Sequence, residues 1–253
     1  MIRTGLERVS HRLVIKRQLP PPFDTAHIYA STEGGLRYLR PQMASIDPAL
    51  LALVRECVHP GSVVWDIGAN LGLFSFAAAV AAGPSGHVVA VEPDASLIAL
   101  LRRSAGVNQR HAQVEAVPAA VTDHFGVSRF HIARRNRSTN HLDGFGTAQT
   151  GGIRSTELVL TVTLDWLAEH FPKPDVIKID VEEAELVVLR GAETVLSMLP
   201  TLICEVAARN SVAVQEVLAG HGYTLYDGEQ PATNRVPAKL APANTLAIRT
   251  SRG

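Results

Sequence analysis

Val63-Val64-Trp65-Asp66-Ile67-Gly68-Ala69-Asn70-Leu71-Gly72 joins an apolar run of strand length to an acid and then to a turn with two glycines four positions apart. The run ends where a helix can open. Glycine lets a ligand approach backbone closely, and the first turn of a helix offers N–H groups that have no partner within the helix. The next apolar run, Val88-Val89-Ala90-Val91, ends in Glu92, 20 residues after Gly72. A carboxylate there can accept hydrogen bonds from both hydroxyls of a ribose. Loop and acid together predict a nucleoside-bearing ligand lying across the C-terminal edge of a parallel sheet. The dinucleotide fingerprint G-x-G-x-x-G is not present, because the loop reads Asp-x-Gly-x-x-x-Gly. At Asp66 a carboxylate would repel a pyrophosphate and attract an ammonium group. S-adenosylmethionine carries that ammonium and a ribose, and no phosphate. A tight strand-to-helix turn without a ligand is the plainer alternative.

Outward from this loop the pattern alternates strand and helix, the signature of a largely parallel sheet covered on both faces. Strands are expected at 62–67, 87–92, 112–117, 127–132, 158–163, 175–180, 200–206, 222–227 and 244–249. Helices are expected at 71–82, 94–105, from Asp165, at 184–197 and at 211–220. The last two strands are joined by a proline-rich connection that suits an antiparallel excursion. Upstream, Ile2, Leu6, Val9 and Leu13 stand at helical spacing and predict a short amphipathic helix over 2–16. Pro20-Pro21-Pro22 breaks it, and Asp47-Pro48 caps a further helix running to about Cys57. The expected organisation is a helical extension over 1–59 and an α/β domain over 60–253, with a polar, glycine-bearing insertion at 133–157.

Composition narrows the class. The chain has 253 residues, 46% of them hydrophobic and 19% charged, enough for a full core and unlike a disordered or collagen-like chain. No apolar run approaches the roughly 18 residues of a membrane span, and the N-terminus lacks the apolar segment of a secretory signal. Cys57 and Cys204 lie far apart and form no CxxC pair, so buried thiols in a cytoplasmic protein are expected. Twenty-four basic residues balance twenty-four acidic ones, and nucleic acid is an unlikely partner. The charges are nevertheless sorted along the chain. Seven arginines fall in 102–137, whereas seven acids fall in 175–205 against Lys178 and Arg190.

Several further stretches complete a pattern. Val91-Glu92-Pro93, Ala119-Ala120-Val121 followed by Gly126, Thr163-Leu164-Asp165, Lys178-Ile179-Asp180-Val181-Glu182-Glu183-Ala184-Glu185 with Leu189-Arg190-Gly191-Ala192, and Glu205 follow the glycine loop in order. With that loop they resemble the FkbM-type methyltransferases of the class I S-adenosylmethionine-dependent superfamily, over roughly residues 60–228. The resemblance implies a Rossmann-like fold with a mostly parallel seven-stranded sheet and an antiparallel C-terminal strand. It implies that Asp66, Gly68, Ala69, Asn70 and Gly72 hold the methionine end of the cofactor. Glu92 with Pro93 would take the ribose, the 118–122 region around Ala120 the adenine, and Asp180 and Glu182 would line the reaction centre. It also implies O-methylation of a sugar or natural product. Glu183 stands where the family usually has glycine.

The second acidic cluster reads independently as a buried strand, Val176-Ile177-Lys178-Ile179, delivering Asp180 and Glu182 to the same sheet edge. Methyl transfer needs alignment of donor and acceptor and removal of one proton. Asp180, with Glu182 second, is the candidate base for an acceptor hydroxyl. Asp180, Glu182 and Glu205 could instead ligate a divalent cation, and Glu183 and Glu185 could simply open a helix with favourable charge. His141 is the alternative base, in an insertion that Asp143-Gly144-Phe145-Gly146 and Gly151-Gly152 would hinge as a lid. Two other classes stay open: an NAD(P)-dependent oxidoreductase on a similar sheet, and an S-adenosylmethionine-binding protein without catalysis. A small molecule or glycan is the expected acceptor, and the N-terminal helix a possible homodimer contact.

Overall fold

The computed structural model describes residues 14–40, 43–133, 140–145 and 152–250. An antiparallel hairpin, β1 (Ile15–Gln18) and β2 (His27–Ala30), precedes helix α1 (Pro48–Cys57). There follow β3 (Val63–Ile67), α2 (Leu73–Ala82), β4 (His87–Val91), α3 (Ala95–Val107) and β5 (Gln113–Val117). Four shorter or more exposed strands come next: β6 (Ala120–Val121), β7 (Gly126–Ala133), β8 (His141–Leu142) and β9 (Ile153–Val162). The chain closes with α4 (Leu164–His170), β10 (Val176–Ile179), α5 (Glu185–Arg190), α6 (Glu193–Ser197), β11 (Thr201–Glu205), α7 (Ser211–Gly220), β12 (Tyr223–Asp227) and β13 (Asn244–Arg249).

The main sheet has seven strands in the order β12-β13-β11-β10-β3-β4-β5, parallel except for β13, which runs antiparallel to both its neighbours. This is the Rossmann-like α/β architecture. The winding reverses between β3 and β10, and that reversal opens a crevice beyond the carboxyl ends of the two strands. Alternation along the strands divides the core. Val64, Val88 and Ala90 pack with α1, α2, α3 and the hairpin on one face, whereas Trp65, Ile67, Val89, Val91, Ile177 and Ile179 pack with α4 to α7 on the other. Because the central strands are buried on both faces, they appear in the sequence as continuous apolar runs. Asp94 starts α3, its carboxylate accepting from the amides of Ser96 (2.8 Å) and Leu97 (3.4 Å), the usual way to satisfy orphan N–H groups.

Three local expectations change. The helix expected over 2–16 lies for the most part outside the described residues, and so does its dimer contact; its described end, from Ile15, is strand instead. The hairpin is held by α3, since Ser104 Oγ and Asn108 Oδ1 accept from the amides of Tyr29 and His27, each at 2.9 Å. Leu19, Phe23, Ile28 and Ala30 join the main core, so the segment 15–59 is part hairpin and part helix and packs on the domain. The strand expected at 158–163 begins ten residues long at Ile153, making part of the expected insertion into sheet. With β7 it forms an antiparallel ribbon in a second sheet of order β6-β9-β7-β8. The helix expected over 184–197 breaks into α5 and α6 at Gly191, where a Cβ would stand 2.5 Å from the Thr122 carbonyl oxygen. Among the described residues no helix is long and apolar enough to cross a membrane.

Candidate active site

At the winding reversal lies a cavity of about 200 Å³, walled by the turn after β3, the ends of β4 and β10, β6 to β8, and a segment ahead of α1. The turn after β3 is tight. Gly68 has φ +77°, and a Cβ on it would lie 1.9 Å from the carbonyl oxygen of Asp180, so no other residue fits there without moving β10. The amides of Gly68 and Ala69 both donate to the Val91 carbonyl at 3.0 Å. Asn70 follows at φ +52°. It lines the cavity, and its buried Oδ1 has no hydrogen-bond partner.

Glu92 is buried at the same wall. Its Oε2 accepts from the Asn70 amide and its Oε1 from the Asp94 amide, both at 2.9 Å. Burial pushes this carboxyl up to about 7 despite the two amides that favour its charge. Each oxygen keeps a further acceptor site for a ligand hydroxyl. Pro93, Ala119, Ala120, Val121 and Leu142 add an apolar surface beside it.

Asp66 stands elsewhere than its spacing suggested. It is fully buried and does not line the cavity. Its Oδ2 accepts from Ser75 Oγ at 2.5 Å, and its Oδ1 lies 3.2 Å from the Nζ of Lys178, its register partner on β10. The carboxylate expected to meet a ligand ammonium therefore meets a lysine. Gly72 also sits off the cavity; it caps α2, and a Cβ there would press on Phe76 and Leu101 at 2.7 Å.

Asp180, Glu182, Glu205 and His141 all line the cavity. Lys178 Nζ lies 3.2 Å from Asp180 Oδ2 and donates to the Gly68 carbonyl at 2.9 Å. Burial pulls this ammonium's pKa down, but the charges of Asp180 and Asp66 outweigh it and hold Lys178 above the ordinary lysine range. The neighbouring acids move the other way. Burial, then the charges of Asp180, Glu205, Glu185 and Glu183, push Glu182 up to about 8. The charge of Asp180, then burial, pushes Glu205 up to about 7. Asp180 thus holds the lysine while its neighbours retain protons near neutrality. Among the described residues no three His, Cys, Asp or Glu side chains are grouped to hold a metal ion. Asp180, Glu182 and Glu205, the alternative ligands of a cation, share the cavity without being grouped in that way.

Glu182 and Glu183 occupy consecutive left-handed positions, with φ +52° and +75°. The second, where the resemblance led to glycine being expected, has a backbone that glycine adopts without strain. Here the turn is held by contacts instead: Glu183 pairs with Arg209 at 2.6 Å, and Asn210 Nδ2 donates to the Glu183 carbonyl at 3.0 Å. Glu185 Oε1 accepts from the Glu183 amide at 2.8 Å. Glu183 and Glu185 are therefore braces of the turn and do not line the cavity. His141 is buried, its ring 5.4 Å from that of His131. Asn140 accepts from the Ala133 amide and reaches Asp94. Residues 134–139 and 146–151 of the expected lid, including Gly146 and Gly151, lie outside the described residues.

Sequence reasoning missed one whole wall, made by Arg37, Tyr38, Asp47 and Leu50. Its residues sit in short 3₁₀ turns and a helix start, which carry no period to read. It also missed Lys178, although a lysine in the middle of Val176-Ile177-Lys178-Ile179 was a signal: a buried lysine requires a partner.

A reversing parallel sheet, a glycine turn and an acid at the end of the next strand define the class of Rossmann-like folds with a nucleoside-binding crevice. Residues 66–225 match the model of the methyltransferase FkbM domain, and the chain belongs to that S-adenosylmethionine-dependent family. This separates it from the nicotinamide oxidoreductases. No curated protein matches the chain. Among solved structures, it is similar to a precorrin-6y C5,15-methyltransferase from Geobacter metallireducens at 14% identity, over 78% of this chain and 84% of that one, with a TM-score of 0.44. A SAM-dependent methyltransferase from Aquifex aeolicus matches at 11% identity, over 85% and 98%, with a TM-score of 0.45. A SAM-dependent O-methyltransferase from Thermotoga maritima matches at 13% identity, over 86% and 70%, with a TM-score of 0.40.

Proposed function

We propose that this protein transfers the methyl group of S-adenosylmethionine to a hydroxyl of a sugar or natural-product acceptor, with Asp180 as the base. The residues present fit that cofactor. Glu92, with both oxygens already anchored by amides, presents acceptors to a ribose diol; the unpartnered Oδ1 of Asn70 suits a ligand N–H; and Ala120 and Val121 offer an apolar wall to an adenine. The bound cofactor supplies an activated methyl group on a sulfonium leaving group.

The observation that carries the reading is the placement of Asp180, a partly exposed carboxylate held by a buried ammonium, on the same cavity as Glu92. Asp180, paired with the Lys178 ammonium at 3.2 Å, is placed to accept the proton of an acceptor hydroxyl. On the same cavity Arg37 and Lys178 are matched by Asp47 and Asp180. That balance leaves no surplus positive charge for a phosphate, which supports a hydroxylated acceptor without phosphate and speaks against nucleic acid.

The test is a calorimetric titration of the full chain with S-adenosylhomocysteine and, separately, with NADH, followed by a screen of hydroxylated acceptors on the native protein and on Asp180→Asn. Binding of S-adenosylhomocysteine alone, and turnover lost in the variant without loss of that binding, is the expected result. Binding of NADH, or binding without turnover on any acceptor, would replace it with another function.

A further inference from the structure

Lys178 is 6% exposed in a strand that is otherwise entirely apolar. Its ammonium has three donors, and three acceptors surround it: Asp66 Oδ1 at 3.2 Å, Asp180 Oδ2 at 3.2 Å and the Gly68 carbonyl at 2.9 Å. These come from three pieces of the site, the end of β3, the strand end that presents the proposed base, and the glycine turn. The turn has no room to shift toward β10, since the Gly68 α-carbon already faces the Asp180 carbonyl. Asp66 is fixed in turn by Ser75. Ser75, Asp66, Lys178 and Asp180 thus form one continuous polar chain from the inside of α2 to the cavity.

We infer that Lys178 is a positioning residue: its ammonium sets the glycine turn and the Asp180 carboxylate relative to one another, and Asp66 serves the site through Lys178 and touches no cofactor. This assigns the acid of the glycine-loop motif a supporting role and rests on the proposed methyltransferase reading. Asp66 Oδ2 is taken by the Ser75 hydroxyl and its Oδ1, which accepts no hydrogen bond, faces the Lys178 ammonium at 3.2 Å; the carboxylate is fully buried off the cavity, away from where a ligand ammonium would enter. One lysine bridging the two strands that flank the winding reversal keeps donor site and base at a constant spacing, and methyl transfer depends on that spacing.

Removing Lys178 alone would strand Asp66 as an unpaired buried charge, so the comparison uses Asp66→Asn and the double variant Asp66→Asn with Lys178→Met. Replacing both members of a buried pair avoids that penalty. Affinity for S-adenosylhomocysteine is read by calorimetry, and the backbone amides of Gly68, Ala69, Asn70 and Asp180 by NMR. In Asp66→Asn, where Lys178 still holds Gly68 and Asp180, affinity should stay within about threefold; in the double variant it should fall about 10- to 100-fold, the scale of a lost charge-assisted hydrogen bond. The turn amides should shift in the double variant beyond their shift in the single one. Equal loss in both variants would restore Asp66 as a direct ligand and overturn the inference, as would a folded double variant with native affinity and unmoved turn amides. If the double variant does not fold, the unmodified protein decides: the Lys178 ammonium protons should resist solvent exchange and show contacts to Gly68, and exchange like that of a surface lysine would refute the assignment. Failure of the native protein to bind S-adenosylhomocysteine would instead count against the proposed function, and the amide comparison would still judge Lys178.

Discussion

Gly68→Ala tests the geometry of the site at its tightest point. The new methyl would lie 1.9 Å from the Asp180 carbonyl oxygen and 2.9 Å from its carbon, both backbone atoms. Relief to a 3 Å contact requires the turn and β10 to part by about 1.1 Å, the difference between 3.0 and 1.9. Holding alanine at φ +77° costs about 1–2 kcal/mol. Parting the strands weakens the Lys178 to Gly68 hydrogen bond of 2.9 Å, a further cost of about 1–2 kcal/mol. The sum, about 2–4 kcal/mol, corresponds at this chain length to a Tm lower by roughly 4–16 °C. The same displacement of about 1 Å moves the turn that meets the ligand, so S-adenosylhomocysteine affinity should fall as well. Gly106→Ala is the control. It lies in α3, its Cβ would meet nothing within 4 Å, and it should stabilise by about 0.5–1 kcal/mol. Thermal unfolding and calorimetry on the two variants suffice. A Gly68→Ala protein with native Tm and native affinity would show that the turn and β10 are not in the contact described.

Glu92→Gln keeps the shape but sets an amide NH₂ against one of two backbone donors, and should weaken S-adenosylhomocysteine binding about 10- to 100-fold by calorimetry. Glu182 is pushed up to about 8 in the folded chain, so the folded state binds more protons than the unfolded one from the ordinary glutamate range up to that value. Stability should therefore be greatest on the acid side of this window and decline as pH rises toward 8. Glu182→Gln removes this contribution, and in denaturant titrations the variant should gain on the native protein between pH 5.5 and 9; parallel profiles would contradict the burial of Glu182. Glu183→Gly relieves a left-handed backbone but loses the pair with half-exposed Arg209. Its stability change should be small in the native chain and should move by up to about 1 kcal/mol in the stabilising direction in an Arg209→Ala background, a coupling that a double-mutant cycle measures.

The parts of the fold legible in the sequence are those whose burial is two-sided. Val63–Ile67, His87–Val91 and Val176–Ile179 read as strands because helices cover both faces, which makes each a nearly unbroken apolar run. The start of β9 was not legible, since Ile153 to Leu158 are all exposed and show no alternation to mark a face. Ile15 and Lys16 read as the end of a helix because local periodicity outweighed a partner that the sequence does not display. That partner is α3, whose Ser104 and Asn108 tie down the hairpin. Glu92, Asn70, Asp180 and Glu182 were found because each stands at the end of a strand or in the turn that follows one, and the winding of the sheet brings those ends together.

Asp66 shows where spacing stops being sufficient. Its position in the motif is compatible with two partners, a ligand ammonium or an ammonium of the chain itself, and only the register of β3 against β10 decides between them. A side chain on a strand faces its register partner on the same side of the sheet, so the Lys178 ammonium stands 3.2 Å from the Asp66 carboxylate. Arg37, Tyr38, Asp47 and Leu50 lie outside residues 66–225, in a segment whose placement follows from packing on α2 and α3. The matched domain therefore accounts for the glycine turn, Glu92 and Asp180, while a wall of the same cavity is built by chain that the match does not cover. Cofactor chemistry can be common to the family under that arrangement, while the charges that Arg37 and Asp47 bring to bear on Asp180 and Glu205 come from outside the matched residues.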